Sequence, residues 1–101
     1  MCSAVNASLH GVLPVLHTPF DDNCEIDTKT LQREMDWAFQ TGADGVVVAM
    51  VSEVLRLGYH GRKRLAELVC DTADGRGFTV ISVGSESTAE AIEFAEHAEG
   101  L

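Results

Sequence analysis

The sequence predicts an α/β fold built from three consecutive strand–helix units, forming a piece of parallel sheet too small to close by itself. Three observations carry this. Apolar runs of strand length alternate with segments of helical periodicity at roughly 30 residues per unit. The run Val46-Val47-Val48-Ala49 is β-branched without alternation, as in a parallel strand covered on both faces. And three parallel strands leave two unpaired edges, so a larger fold accounts for the pattern better than a self-sufficient domain.

The first strand is expected near residues 12–16, where Val12-Leu13-Pro14-Val15-Leu16 precedes His17-Thr18-Pro19-Phe20 and a polar loop. Pro14 has no N–H for a ladder, so it must lie at an edge or where that donor is not needed. The first helix is expected over 28–41. Asp27 is a good N-cap, because its carboxylate can accept free first-turn N–H groups. Leu31, Met35, Ala38 and Phe39 then form one apolar stripe, and Gly42 can take the positive φ of a helix stop.

The second strand is expected near 46–50. A second helix over 61–73 carries the stripe Leu65, Leu68, Val69 and Thr72 and stops at Asp74-Gly75-Arg76-Gly77. A third strand near 79–83 runs up to Gly84. The third helix, 88–99, opens with Ser87-Thr88-Ala89-Glu90. That is a capping box, in which Ser87 and Glu90 satisfy each other's N–H groups. Ala91, Phe94, Ala95 and Ala98 are its expected buried face.

Composition narrows the function. The 101 residues carry a formal net charge of −9 with 46% hydrophobic and 23% charged residues. Nucleic-acid affinity comes largely from Lys and Arg neutralising phosphates, so no nucleic-acid partner is expected. No apolar run approaches the roughly 20 residues of a membrane helix, and no basic, apolar leader begins the chain. Cys2, Cys24 and Cys70 are odd in number and widely spaced, which fits reduced thiols in a cytoplasmic protein. His10, His60 and His97 share no ligand spacing, so neither metal nor cofactor is expected.

Several stretches resemble the dihydrodipicolinate synthase/N-acetylneuraminate lyase family. They are Gly11 to Phe20, Ile26-Asp27 with Leu31, Thr41-Gly42-Ala43-Asp44-Gly45, and Val80 to Gly84 followed by Thr88-Ala89-Glu90-Ala91-Ile92. The order and spacing match over nearly the whole chain. The resemblance implies a (β/α)₈ barrel of about 250 residues with its site at the C-terminal strand ends. It identifies the chain as the first three units.

The implied chemistry is a class I, aldolase-type lyase or synthase reaction on pyruvate or a related 2-keto acid. A lysine on the sixth strand forms a Schiff base, and a tyrosine from the fifth assists with proton transfer. Both are expected beyond Leu101, so the chain alone is expected to be inactive. The full-length protein is expected to be a homo-oligomer. Lys29 and Lys63 fall in helices and read as surface groups.

Family members carry a Gly-Thr-Thr-Gly-Glu loop after the second strand. Here the stretch is Ala49-Met50-Val51-Ser52-Glu53. Met50 and Val51 cannot supply the hydroxyl donors, which leaves Ser52 and Glu53 as substrate-binding candidates. Thr18 and Gly84, at the ends of the first and third strands, complete the set. For each, a structural role stands beside the functional one: a loop-bracing carboxylate, a plain serine, a Thr-Pro turn, a tight strand exit. His17 reads as an ordinary strand-end histidine and Arg56 as a surface cation. Two other readings remain: a diverged, non-catalytic barrel relative, and a small autonomous doubly wound domain.

Overall fold

The computed structural model describes residues 9–49 and 57–101. After an extended N-terminal segment the elements run α1 (Thr28–Gln40), β1 (Gly45–Val48), α2 (Tyr59–Ala73), β2 (Phe78–Ile81) and α3 (Thr88–Glu99). β1 and β2 pair in parallel with Gly45 opposite Phe78, Val46 opposite Thr79, Val47 opposite Val80 and Val48 opposite Ile81.

The expected first strand is present only as a single parallel bridge, Val15 to Val47. Val47 N–H donates to the Pro14 carbonyl at 3.0 Å, and Leu16 N–H donates to the Val47 carbonyl at 2.9 Å. A regular parallel ladder would next need a donor from residue 14 toward β1. Proline has none. The missing rung is why residues 12–16 pair with β1 without forming a continuous strand. Spatial order therefore follows chain order: N-terminal segment, β1, β2. The helices keep the same order, with α1 against α2 and α2 against α3.

One residue ties the lower ends of all three extended segments. Asp44 N–H donates to the Val12 carbonyl at 2.9 Å, and its carbonyl accepts from Phe78 N–H at 3.0 Å. Its Oδ2 accepts from Val12 N–H at 2.8 Å. Two glycines allow this closeness. A side chain at Gly45 would land on the Phe78 carbonyl oxygen, and one at Gly77 on the Asp44 carbonyl oxygen.

The core lies between sheet and helices. Val46 and Val48 point into it, meeting Leu31, Met35 and Ala38 of α1 and Leu65, Val69 and Ala73 of α2. The opposite sheet face carries the row Val15, Val47, Val80. Among the described residues no helix covers it, and Val15 is 49% exposed. A sheet with helices along one face and an apolar row on the other is an arc of a barrel wall, since barrel interiors are filled by such branched residues.

The helix ends follow local chemistry. Asp27 accepts from Thr30 N–H at 3.1 Å and from the Thr30 hydroxyl at 2.8 Å. These bonds, the backbone one foremost, hold its carboxyl below the ordinary carboxylate value. The ionised form is thus favoured in the folded state, so the cap's contribution is complete above the usual carboxylate range and is lost as pH falls through the lowered value. Far-UV circular dichroism between pH 6 and pH 2 is expected to show helicity lost in a step that Asp27→Asn makes smaller. An unchanged step would contradict the cap.

α2 begins at Tyr59, two residues before the expected start, behind Gly58. Its end is the left-handed Asp74 (φ 43°), whose N–H donates to the Cys70 carbonyl at 3.1 Å. Gly42 has the expected positive φ of 98°.

The capping box of α3 is half made. Glu90 N–H donates to the Ser87 hydroxyl at 3.3 Å. The Glu90 carboxylate, however, accepts from the Ser85 hydroxyl at 3.2 Å, and Ser87 N–H donates to that same hydroxyl at 3.4 Å. A serine has been interposed. Ala95 is exposed; α3 packs on the single helix α2, and the narrow stripe around Phe94 suffices for that contact.

The third strand ends at Ile81, two residues before the expected limit. Position 50, the expected end of the second strand, lies outside the described residues.

Candidate active site at the strand ends

The C-terminal ends of the N-terminal segment, β1 and β2 lie side by side, because all three run parallel. Ser52 and Glu53, with Met50, Val51 and Arg56, lie outside the described residues. Thr18 ends the first segment and is buried, with 7% exposure. Its parity along the chain matches that of Leu16, a core residue at 8% exposure. Both therefore turn toward the helices. His17 lies between them and is exposed.

The edge next to His17 is held from α1. Glu34 Oε1 accepts from His17 N–H at 2.8 Å, so the carboxylate satisfies a main-chain donor that an edge strand leaves unpaired. His17, Pro19, Thr30, Arg33 and Glu34 line an open cleft beside it.

Gly84 is half-buried between two tied points. On its N-terminal side the Ser82 carbonyl accepts from Arg62 Nη2 at 3.2 Å, and Ser82 N–H donates to the Val48 carbonyl at 2.8 Å. On its C-terminal side stands the Ser85–Glu90 hydrogen bond. Arg62 places its guanidinium 4.0 Å above the Phe94 ring, a cation–π contact that joins α2 and α3 above the exit of β2. Partial burial lowers the guanidinium pKa, and the charge of Glu90 opposes that. Sequence reading missed Arg62, Glu34 and Ser85. Their partners are main-chain atoms or residues up to 32 positions away, and residue pattern records neither.

The two lysines differ in setting, and Lys63 shares a small cavity with Val48, Ile81 and Ser82 at the ends of β1 and β2. Lys29 is exposed in the first turn of α1. The Lys63 amine donates to the Tyr59 hydroxyl at 2.7 Å, and that hydroxyl donates to Glu93 Oε2 at 2.6 Å. The bond to Tyr59, above all, raises the Lys63 pKa. An amine that attacks a carbonyl needs the opposite shift. The remaining histidines also have structural settings. His97 Nε2 meets Glu67 Oε1 at 3.0 Å between α3 and α2. His10 packs edge-on to Phe78 with ring centroids 5.4 Å apart. Among the described residues no helix is long and apolar enough to cross a membrane.

Comparison with known proteins agrees with this architecture. The chain is 39% identical over 92 residues to a 4-hydroxy-tetrahydrodipicolinate synthase of Bartonella quintana, covering 90% of the chain and 31% of that relative. The solved 4-hydroxy-tetrahydrodipicolinate synthase of Methylacidiphilum fumariolicum SolV superposes with a TM-score of 0.86 at 30% identity, over 92% of this chain and 31% of that one. The N-acetylneuraminate lyase of Proteus mirabilis gives 0.85 at 27% identity, over 94% of this chain and 32% of that one. The chain thus spans about a third of the length of these relatives, and its units are the first three of a (β/α)₈ barrel. The sequence model of the dihydrodipicolinate synthetase family matches residues 8–101, and the chain belongs to that family.

Proposed function

We propose that the chain is the N-terminal portion of a Schiff-base lyase or synthase acting on pyruvate or a related 2-keto acid. The observation that carries this reading is the parallel arc itself. Its three C-terminal strand ends stand together, which is where barrel enzymes gather their chemistry, in a chain that belongs to a family of synthases and lyases.

Thr18, Ser52, Glu53 and Gly84 contribute to the keto-acid site, Thr18 and Gly84 by shaping its wall. The attacking amine comes from a part of the barrel outside residues 1–101. The raised pKa of Lys63 and its hydrogen bond to Tyr59, with the exposure of Lys29, speak against either lysine as the attacking amine. The whole protein works in the cytoplasm as a homo-oligomer, with no cofactor or metal.

Borohydride reduction in the presence of pyruvate tests the mechanism. The full-length protein is expected to gain one covalent pyruvate-derived adduct per chain by mass spectrometry, on a residue beyond 101. The 101-residue chain is expected to gain none. Absence of an adduct on the full-length protein would refute the Schiff-base reading. A second reading, a barrel that has kept its shape and lost its chemistry, draws on Met50-Val51, which offers no side-chain hydrogen-bond donor. It requires the opposite outcome of the same experiment.

A further inference from the structure

Gly84 follows shortly after the end of β2, and glycine is the residue whose main chain loses most freedom on being held in one conformation. The chain around it is held from two helices. On one side Ser82 is fixed through both of its peptide groups. Its N–H donates to the Val48 carbonyl of β1 at 2.8 Å, and its carbonyl accepts from Arg62 Nη2 of α2 at 3.2 Å. On the other side the Ser85 hydroxyl donates to Glu90 Oε1 of α3 at 3.2 Å and accepts from Ser87 N–H at 3.4 Å. Only Val83 and Gly84 lie between these anchors.

Arg62 joins the two anchors. Its guanidinium lies 4.0 Å above the ring of Phe94, which is buried on α3, and the charge of Glu90 acts on it. A planar guanidinium can stack by its face while it donates by its edge, whereas an ammonium has one head for both tasks. A single side chain of α2 thereby fixes the exit of β2 and the helix that carries the second anchor. A comparable clasp stands just before the entry of β2. Arg76 lies 4.7 Å from the centre of the Phe39 ring and donates to the Thr72 carbonyl at 2.7 Å and to Asp36 at 2.8 Å. That end of a barrel serves stability, and the exit end serves chemistry.

We propose that Arg62 is a positioning residue: by tying the Ser82 carbonyl to the Phe94 face of α3, it presets the course of Val83-Gly84 along the keto-acid site. The proposal rests on the keto-acid reading given above. A wall set before the ligand arrives asks no ordering of the binding step. Loss of the clasp is therefore felt in pyruvate affinity, while the attacking amine, carried elsewhere in the barrel, keeps its rate.

The test uses the full-length protein with pyruvate as probe. Half-saturating pyruvate for borohydride trapping is expected to rise about tenfold in Arg62→Met, which keeps an apolar stem and loses the donor, with the limiting trapping rate within about twofold of the parent. In Arg62→Lys, which keeps a charge and a donor, the rise is expected to stay within about threefold. Arg76→Met is expected to lower the thermal midpoint and leave half-saturation unchanged, so that loss of affinity is separable from loss of structure. The Gly84 amide resonance on pyruvate addition is read alongside.

An unchanged half-saturation in Arg62→Met, or an equal rise in Arg76→Met, overturns the proposal and leaves the Schiff-base mechanism standing. No adduct in the parent, but a pyruvate-dependent shift of the Gly84 resonance that needs about tenfold more pyruvate in Arg62→Met, overturns the mechanism and retains the positioning role. No adduct, with no shift or with one that ignores Arg62→Met, overturns both.

Discussion

Met35→Ala is expected to lower the unfolding free energy by about 2–5 kcal/mol, the range for truncating a fully buried large aliphatic side chain. Met35 has 0% exposure at the centre of α1's inner face. It packs in one cluster with Val46 and Val48 of β1 and with Leu65 and Val69 of α2. The cavity would open where α1, β1 and α2 converge, and no single element could shift to fill it without leaving the other two. Trp37→Ala is the internal control. That side chain sits two positions later on the same helix at 66% exposure, and its removal is expected to change stability by less than about 0.5 kcal/mol. Urea titration with a circular dichroism readout compares the two. Similar losses in both would mean that α1 is not docked by the face described.

Gly45→Ala is expected to be nearly as damaging, at about 3 kcal/mol, though it adds a single carbon. The new Cβ would fall on the Phe78 carbonyl oxygen, 2.7 Å from the Phe78 Cβ and 2.9 Å from its carbonyl carbon. Those atoms cannot yield cheaply. Phe78 is the register partner of Gly45, and its N–H is bonded to the Asp44 carbonyl. Relief therefore requires β1 and β2 to part at their first rung. A similar substitution at Gly58, where a Cβ would meet nothing within 4 Å, is expected to be tolerated. A melting temperature unaffected by Gly45→Ala would count against the register.

The distribution of what sequence revealed has a physical cause. The N-caps of α1 and α3 were legible because they depend on residues within one turn, whereas the start of α2 lay two residues before the expected one. Asp27 caps through Thr30, and Ser87 through Glu90. The core stripe of α1 was legible because 3.6-residue periodicity selects one face. The N-terminal strand was only half legible: its apolar run marks an extended segment, of which Leu16 alone is buried, while the cost of Pro14 depends on which edge its nitrogen faces. Asp44 was visible as part of a Gly-x-Asp-Gly pattern, yet its threefold role depends on Val12 and Phe78, 32 and 34 positions away. At the candidate site, Thr18 could be placed at a strand end, but its burial toward the helices follows the parity of Leu16, which only the sheet pairing determines. Ser52 and Glu53 remain assigned by resemblance.

Because each described extended segment pairs with its neighbour in the chain, assembly needs no distant partner to establish their order. Contacts between consecutive units close short loops, and short loops cost little entropy and form quickly. A polypeptide leaving the ribosome could lay down these three rungs in succession, each presenting a free flank to the next. During that growth Glu34 holds the opposite rim by its grip on His17. The side that must wait longest for company is thus shielded at one of its donors from pairing with a stranger.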